Sequence, residues 1–380
     1  MKKVLIGSTN ASKIQYFKTL LQDYEVEWIT LNDIKISSIP KETGKTEKEN
    51  AILKASFYGQ FCDAVLCNDS GLYFADLSLT DPRQPGLHIR SPQGIELNDE
   101  EMITYYSSLI ASFQKDMKAY YKDSFAVFYK GKISSFSSSK RIASYQSFYL
   151  TKIPQSFRHK GWPLDSLVKE NIRKEKNNPS LLAKKERTLI EYQTRLIHFF
   201  ATTLHLKPKR IIETERLYLR KLVLSDLKTL KAILQDKEVM VAYEHAFSNQ
   251  EVLDWFYKNR LRYQKDGFGL WAVVLKETDE MIGQCGITYQ AYKDKQVLEI
   301  GYLFLKSFWH QGFATEAAIA CKNYAFQILN AKEVYSIIRD NNVPSICIAK
   351  RNGMKKIDQI IKHYYSLDLV HDVYRIQNQS

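Results

Sequence analysis

The stretch between Glu299 and Ala318, EIGYLFLKSFWHQGFATEAA, constrains the fold more than any other part of the sequence. Its apolar run from Ile300 to Leu305 predicts a buried strand, which ends before the turn WHQGFA. From Ala314 or Thr315 onward, apolar residues recur at helical spacing. A strand, a glycine turn and a new helix leave unpaired backbone N–H groups aimed at one point, where phosphate binds without basic side chains. The alternative is an ordinary strand-to-helix turn.

Length and composition limit the class of protein. A chain of 380 residues predicts two domains, and the sequence contains no apolar run of about 18 residues that could span a membrane. The net charge of +13 comes from scattered lysines, which suits nucleotide phosphates or CoA better than nucleic acid. Five scattered cysteines are typical of reduced thiols, so we expect a cytoplasmic protein without a membrane partner.

The N-terminal half begins with a second candidate phosphate site. Val4–Ser8 predicts a strand, and the amphipathic segment from Lys13 onward predicts a helix. Between them lies a loop of small polar residues, and Lys13 supplies positive charge at the helix start. A further helix is predicted to begin near Thr46 or Glu47.

Ala64–Cys67 predicts a short buried strand that ends at the sequence Asn-Asp-Ser-Gly. A carboxylate at the end of a strand, here Asp69, is well placed to hold a divalent cation against phosphates. The alternative is that Asp69-Ser70-Gly71 forms a simple turn.

The segments STNASK, ETGKTEKENAILKA and NDSGL, in that order and followed by Pro-Gly, resemble the inosine/xanthosine triphosphate pyrophosphatase family over about residues 1–90. The resemblance implies a mixed α/β domain with a central cleft that hydrolyses aberrant purine nucleoside triphosphates with magnesium. It also implies roles for individual residues: phosphate or substrate contacts for Ser8, Thr9, Asn10, Lys13 and Ser70, and metal binding for Glu42, Glu49 and Asp69. Asp69 is the candidate general base as well.

The sequence departs from this family beyond residue 90. One of the family's paired acids is replaced by Asn68, and Gly161–Ser166 only partly matches an expected Gly-aromatic-Gly-Tyr-Asp-Pro segment. Gln193 stands near the position of an expected His-Arg pair, which removes a charge-assisted contact with the nucleotide. We therefore expect the fold to persist with catalysis weakened or lost. A bifunctional enzyme and a nucleotide-binding regulatory module are the alternatives.

The rest of the N-terminal half is assigned from periodicity. We expect helices over Tyr105–Tyr121 and Asp165–Leu206, and strands over Phe125–Phe128 and Arg141–Tyr149. Lys207–Arg210 marks the domain boundary, because Pro208 cannot continue the preceding helix. The expected organisation is a domain at 1–206, a linker at 207–210 and a second domain at 211–380.

The second half predicts a strand, two helices, three strands, the phosphate-binding turn, a helix, a strand, a helix and two final strands. This order, with ERLYLR, WHQGFATEA and NNVPSICIAKRNGM at their positions, resembles the GNAT acetyltransferases, in the branch of the ribosomal-protein N-terminal acetyltransferases. The resemblance covers about residues 211–378. It implies a mixed, mostly antiparallel sheet flanked by helices, acetyl-CoA as cosubstrate, and a protein N-terminus or small amine as acceptor.

The resemblance also assigns acetyl-CoA contacts. The pyrophosphate would bind the backbone N–H groups of Gln311, Gly312, Phe313, Ala314 and Thr315. The pantetheine arm would pair, like an added strand, with Tyr302, Leu303, Phe304 and Leu305. Asn342 and Ser345 would line the CoA channel.

Acetyl transfer requires a base for the amine, polarisation of the thioester carbonyl and a proton for the leaving thiolate. Glu299 is the candidate base; the alternative is a salt-bridged glutamate at the end of a strand. Ser345 is the candidate proton donor, or instead the N-cap of a helix that begins at Ile346. Tyr302, Tyr364 and Tyr365 are alternative acids.

Overall fold

A computed structural model describes residues 1–36, 38–92, 94–159, 161–169, 179–364 and 367–378. The chain divides into two compact units, Met1–Lys207 and Pro208–Ser380, and each is considered by itself. Both units combine a mixed sheet with flanking helices, which confirms the predicted α/β fold class. Within the described ranges, no helix is both long and apolar enough to cross a membrane.

The first unit is built on a mixed sheet with strand order β2-β1-β3-β4-β6-β7, and β5 pairs with the second half of β4. Strand β1 is parallel to β2 and β3, whereas the other pairs are antiparallel. The elements are β1 (Lys2–Ile6), α1 (Ala11–Leu20), β2 (Val26–Thr30), α2 (Glu47–Tyr58), β3 (Ala64–Phe74), α3 (Asp99–Ser112), β4 (Met117–Tyr129), β5 (Lys132–Ser137), α4 (Lys140–Tyr145), β6 (Phe148–Leu150), β7 (Val168–Lys169) and α5 (Pro179–Thr203).

Strand β3 is longer than its neighbour β1, and this difference positions the first site. The ladder between them pairs Leu5 with Val65 and Ile6 with Leu66, after which β1 ends and β3 continues to Phe74. The predicted end of this strand at Cys67 is therefore wrong, and so is the alternative of a simple turn at Asp69–Gly71, because Asn68–Gly71 pairs with Lys122–Phe125 of β4. A partner strand about 50 residues away overrides the local preference of Asn-Asp-Ser-Gly for a turn.

Three other local predictions in this unit are corrected. The predicted helix Tyr105–Tyr121 ends at Ser112, and β4 takes over from Met117. The predicted strand Arg141–Tyr149 is mostly the helix α4, whose N-cap Ser139 accepts a hydrogen bond from the N–H of Ile142. The predicted helix Asp165–Leu206 corresponds to a short 3₁₀ turn, to β7 and to α5, with 170–178 outside the described residues.

The second unit contains a sheet with strand order β14-β15-β13-β12-β11-β10-β9-β8. The pairs are antiparallel except for β12 with β13, as expected for a mixed, mostly antiparallel sheet. The elements are β8 (Ile212–Glu213), β9 (Leu217–Arg220), α6 (Leu227–Leu234), α7 (Asn249–Lys265), β10 (Leu270–Leu275), β11 (Glu280–Tyr292), β12 (Lys295–Phe304), α8 (Phe313–Gln327), β13 (Glu333–Arg339), α9 (Val343–Arg351), β14 (Lys355–Tyr364) and β15 (Leu367–Gln377).

Strands β12 and β13 separate in the middle of this sheet. Among the described residues their register contains one pair, Glu299 with Tyr335. Just beyond it, Ser336 Oγ donates a hydrogen bond of 3.1 Å to the carbonyl of Ile300. Strand β12 then continues to Phe304 beside β11, so its other edge opens into a gap towards β13. This gap positions the second site.

Candidate functional site

The turn that precedes α8 has the geometry of a phosphate cradle. Gly312 adopts a left-handed backbone conformation (φ +82°) and is the N-cap, so α8 begins at Phe313. The backbone N–H groups of Gln311–Thr315 therefore cluster at the helix N-terminus, where N–H groups lack intrahelical partners. The Gln311 side chain donates to the carbonyl of Ser307 at 3.0 Å, so it braces the turn.

Glu299 lies at the vertex of the gap. One carboxylate oxygen accepts a hydrogen bond of 3.1 Å from the N–H of Ile337 on β13. Burial raises the pKa of Glu299, and the charges of Lys362 and Arg262 and the bond from Ile337 oppose that rise only in part. A carboxylate with a raised pKa is a better proton acceptor for an amine than an ordinary surface glutamate.

Tyr302 and Ser345 form the wall of the gap on the other face of the sheet. Glu299 and Tyr302 are three residues apart on β12, and therefore point to opposite faces. The Tyr302 hydroxyl donates to the carbonyl of Ser345 at 3.1 Å, and burial raises the pKa of this tyrosine. Leu303, Phe304 and Leu305 follow along the same edge.

The helix α9 is capped by Asn342, whose side-chain oxygen accepts from the N–H of Ser345 at 3.2 Å. The alternative assignment of Ser345 as the N-cap is therefore wrong, since the helix begins at Val343, three residues before the predicted start at Ile346. Of the other candidate acids, Tyr364 ends β14 and Tyr365 lies outside the described residues.

The segment 241–247 lies against the end of β13. Arg339, the last residue of β13, donates to the carbonyl of Val241 and forms an ion pair with Glu244. The rings of Tyr243, Phe247 and Trp255 pack edge to face at centroid distances of 5.9 to 6.2 Å. These rings give the face that carries Glu299 an aromatic rim.

In the first unit, Ser8 and Asn10 shape the turn between β1 and α1. Asn10 is the N-cap of α1 and accepts from the N–H groups of Ser12 and Lys13 at 2.9 and 3.2 Å. Ser8 Oγ accepts from the N–H of Asn10 at 3.1 Å, while Thr9 is exposed. The side chains of Ser8 and Asn10 thus stabilise the loop.

A charge cluster with a buried centre formed by Lys54 and Asp69 lies where β1 ends beside β3. Lys54 Nζ binds Asp69 at 2.7 Å and Glu42 at 3.2 Å, and the Asn50 amide donates to the other oxygen of Asp69 at 3.2 Å. Lys13 belongs to this cluster, because burial and the charge of Lys54 lower its pKa while Asp69 and Glu42 oppose that change. Two lysines and two carboxylates thus meet beside the loop that Ser8 and Asn10 shape.

Of the three carboxylates proposed as metal ligands, Glu42 and Asp69 share the ammonium group of Lys54, whereas Glu49 is bonded elsewhere. The Glu49 side chain is exposed and accepts the N–H of Lys45 at 2.7 Å, while Asp69 is engaged by Lys54 and Asn50. The described part of the chain contains no group of three His, Cys, Asp or Glu side chains able to hold a metal ion. The residues in this arrangement do not fit a magnesium ion.

Three acids and one arginine near these sites were missed in the sequence. Glu47 is buried, accepts the Tyr73 hydroxyl at 2.5 Å and pairs with Lys122 at 2.9 Å. Asp123 accepts the Ser70 hydroxyl at 2.6 Å, so Ser70 faces β4. Glu316 and Arg216 form an ion pair of 2.7 Å beside the turn before α8. Glu47 looked like an ordinary acid in a first helical turn, and Asp123 could be located only once β4 was known.

Comparison with known proteins places both halves. Residues 216–355 match the model of the acetyltransferase (GNAT) domain, and residues 4–141 match the model of the Ham1 family. The chain is 34% identical over 147 residues to protein YkkB of Bacillus subtilis, a match that covers 38% of this chain and 86% of that protein. It is 30% identical over 148 residues to N-acetyltransferase p20 of Bacillus licheniformis, covering 38% of this chain and 81% of p20.

A dITP/XTP pyrophosphatase of Leptospira interrogans is 31% identical to the chain over 122 residues, which are 32% of this chain. The match spans 59% of the length of that enzyme. The chain thus belongs to the GNAT acetyltransferases, through the domain formed by its residues 216–355, and carries a Ham1-like domain in its N-terminal half.

Proposed function

We propose that the second unit transfers the acetyl group of acetyl-CoA to a primary amine, either a protein N-terminus or a small amine. The observation that carries the proposal is the opening of the sheet at the pair of Glu299 with Tyr335. The free edge of β12 offers main-chain groups to the pantetheine arm, as a strand edge does to an added strand. The N-terminus of α8 offers backbone N–H groups to the pyrophosphate.

Glu299 accepts the proton of the amine, directly or through a water molecule, and the amine nitrogen attacks the thioester carbon. Backbone N–H groups at the gap stabilise the negative charge that develops on the carbonyl oxygen. The carbon–sulfur bond then breaks, and the hydroxyl of Ser345 gives a proton to the thiolate, with Tyr302 as the alternative donor. The hydrogen bond from Tyr302 to the Ser345 carbonyl supports a shared role for these two residues.

The acceptor binds on the face of the sheet that carries Glu299, beside the aromatic rim of Tyr243, Phe247 and Trp255. The acids of this rim already have partners, since Glu244 pairs with Arg339, and His245 lies 2.8 Å from Glu251. An acceptor amine is therefore drawn to Glu299 rather than to a free acidic surface. This favours a chain end with an apolar neighbour over a polycation.

The test is a thiol-release assay with acetyl-CoA against panels of amines and peptides. In Gly312→Trp, the side chain fills the cradle and a residue with a Cβ is strained at φ +82°, so acetyl-CoA binding should be lost. Gly131→Trp is the matched control, because Gly131 also has positive φ (+80°) but an added Cβ there meets no atom within 4 Å. Unchanged acetyl-CoA affinity in Gly312→Trp would contradict the proposal.

For the first unit we propose binding of a purine nucleoside triphosphate, with hydrolysis weakened or lost. The cluster of Lys13 and Lys54 supports triphosphate binding, because two lysines can neutralise phosphate charge beside a helix N-terminus. The engagement of Asp69 by Lys54 and Asn50 supports weak hydrolysis, since both of its oxygens are already occupied.

Titration of ITP and XTP by calorimetry tests binding, and pyrophosphate release with magnesium tests hydrolysis. Binding without release supports the regulatory alternative, whereas release that is abolished by Asp69→Asn supports the bifunctional one. Absence of binding would contradict the proposal for this unit.

A further inference from the structure

The cradle before α8 has no permanently charged basic residue of its own. The turn and the start of the helix, Trp309–Thr315, contain neither lysine nor arginine. The next residue, Glu316, adds a carboxylate to the first helical turn. A negative side chain there favours the helix by itself but repels a phosphate that binds the same N–H groups.

Arg216, in the turn between β8 and β9, neutralises the charge of Glu316 and so removes this repulsion. Its guanidinium contacts the Glu316 carboxylate through Nε and Nη2, both at 2.7 Å, and its backbone N–H donates to the same carboxylate at 3.0 Å. Thr214 Oγ adds a bond of 2.6 Å. Although burial opposes them, the bonds from Thr214 and Arg216 hold the pKa of Glu316 below its usual range.

The same guanidinium also binds the cradle itself. Its Nη1 donates to the carbonyl of Gln311 at 2.9 Å, one residue before Gly312. The central carbon of the Arg216 guanidinium lies 4.4 Å from the centre of the Phe313 ring. Its Nη2 is 3.4 Å from the position that a Cβ atom on Gly312 would occupy. Arg216 therefore touches the turn on both sides of Gly312 while 42% of its side chain is exposed.

We propose that Arg216 is a positioning residue of the acetyl-CoA site, which neutralises, from the β8–β9 turn, the carboxylate that lies beside the cradle. It holds the Gln311 carbonyl and cancels the charge of Glu316, so that the N–H groups of the turn remain available to the pyrophosphate. The planar fork of a guanidinium makes these bonds together, whereas the ammonium of a lysine cannot reproduce their geometry. This inference rests on acetyl-CoA as the cosubstrate.

The test compares ligand affinities in four forms of the full-length protein: wild type, Arg216→Ala, Arg216→Lys, and Arg216→Ala combined with Glu316→Gln. In Arg216→Ala the uncompensated Glu316 should weaken CoA binding by about 10- to 100-fold, the range for loss of a charged hydrogen bond. Arg216→Lys should fall between wild type and Arg216→Ala. The double variant should recover most of the lost affinity, because it removes the repelling charge.

Binding of three ligands, CoA, 3′-dephospho-CoA and pantetheine, shows which part of CoA the substitution affects. CoA and 3′-dephospho-CoA both carry the pyrophosphate and should weaken in parallel, whereas pantetheine should bind Arg216→Ala as it binds wild type. Arg210→Ala serves as the control, because Arg210 is a nearby arginine paired with Glu213 rather than with the cradle. Melting temperatures of all variants check that the fold is retained.

The inference is overturned if Arg216→Ala binds CoA within twofold of wild type, if pantetheine weakens equally, or if the double variant shows no recovery. If Arg216→Ala fails to fold, Arg216→Lys and Glu316→Gln still decide: the first should weaken CoA binding and the second should not. Failure of wild type to bind CoA would instead reject acetyl-CoA as the cosubstrate.

Discussion

The carboxylate of Glu299 accepts the backbone N–H of Ile337 at 3.1 Å, across the vertex from which β12 and β13 separate. The bond fixes one carboxylate oxygen on β13. Glu299 is thus both the last residue of β12 that pairs with β13 and the first residue at the gap between these strands. The separation of the strands therefore also determines where the candidate base lies.

Replacement of Glu299 by glutamine should lower kcat for acetyl transfer by about 100-fold or more, the range for loss of a general base. Glutamine keeps an oxygen that accepts the Ile337 N–H, so the fold and the KM for acetyl-CoA should change little. Steady-state kinetics with a saturating acceptor measures the effect. A Glu299→Gln enzyme with wild-type kcat would exclude this residue as the base.

The raised pKa of Glu299 predicts a pH dependence of known sign. The base must be deprotonated to act, so kcat should rise as pH increases through the raised pKa and then level off. Lys362 lowers this pKa, and Lys362→Met should therefore move the rising limb to higher pH. The pH–rate profiles of the two enzymes, measured with one acceptor, check the shift; a shift to lower pH would contradict the assignment.

Glu299 also predicts a link between pH and stability. Because its pKa is higher in the folded protein than in the unfolded chain, the folded protein binds the proton more tightly. The free energy of unfolding should therefore fall as pH rises from the unfolded to the folded pKa. Chemical denaturation at several pH values should show a larger loss over this range in wild type than in Glu299→Gln, and the difference reports on Glu299.

The acetyl-CoA turn of the second unit could be predicted because its residues are contiguous in the sequence. The strand, the glycine turn and the helix from Ile300 to Thr315 depend on periodicity and on a turn with two residues of positive φ, His310 and Gly312, and both are local features. The register that leaves β12 and β13 paired at a single described position is a property of two strands more than 30 residues apart. The contacts of Arg216 with Glu316, 100 residues away, likewise could not be predicted from the sequence.

The first unit was harder to predict because its site depends on strand length. Asn68–Gly71 has turn-forming residues, yet β4 pairs with it and extends β3. That pairing brings Asp123 to Ser70, and it places Asp69 above α2, where Lys54 reaches it. The residue types at the cluster were therefore identified from sequence, whereas their partners required the tertiary structure.

The roles of Ser345 and Tyr302 can be distinguished by the kinetic parameter, kcat or KM, that each substitution changes. Ser345→Ala should lower kcat by about 100-fold or more if its hydroxyl protonates the leaving thiolate. Tyr302→Phe removes the bond to the Ser345 carbonyl and should raise the KM for acetyl-CoA more than it lowers kcat. Acetyl donors with more acidic thiols need less protonation, so they should restore Ser345→Ala selectively. A larger loss of kcat in Tyr302→Phe would assign the proton to the tyrosine.

Lys54 should stabilise the first unit through Asp69, since both side chains are almost fully buried. Lys54→Met leaves the carboxylate of Asp69 without its cation, and loss of one partner of a buried pair costs about 3–5 kcal/mol. The double variant Lys54→Met/Asp69→Asn removes both charges and should regain much of that stability. Urea unfolding followed by a probe in the first unit measures the three free energies. Equal destabilisation in the single and double variants would show that Lys54 acts by packing alone, and not through its charge.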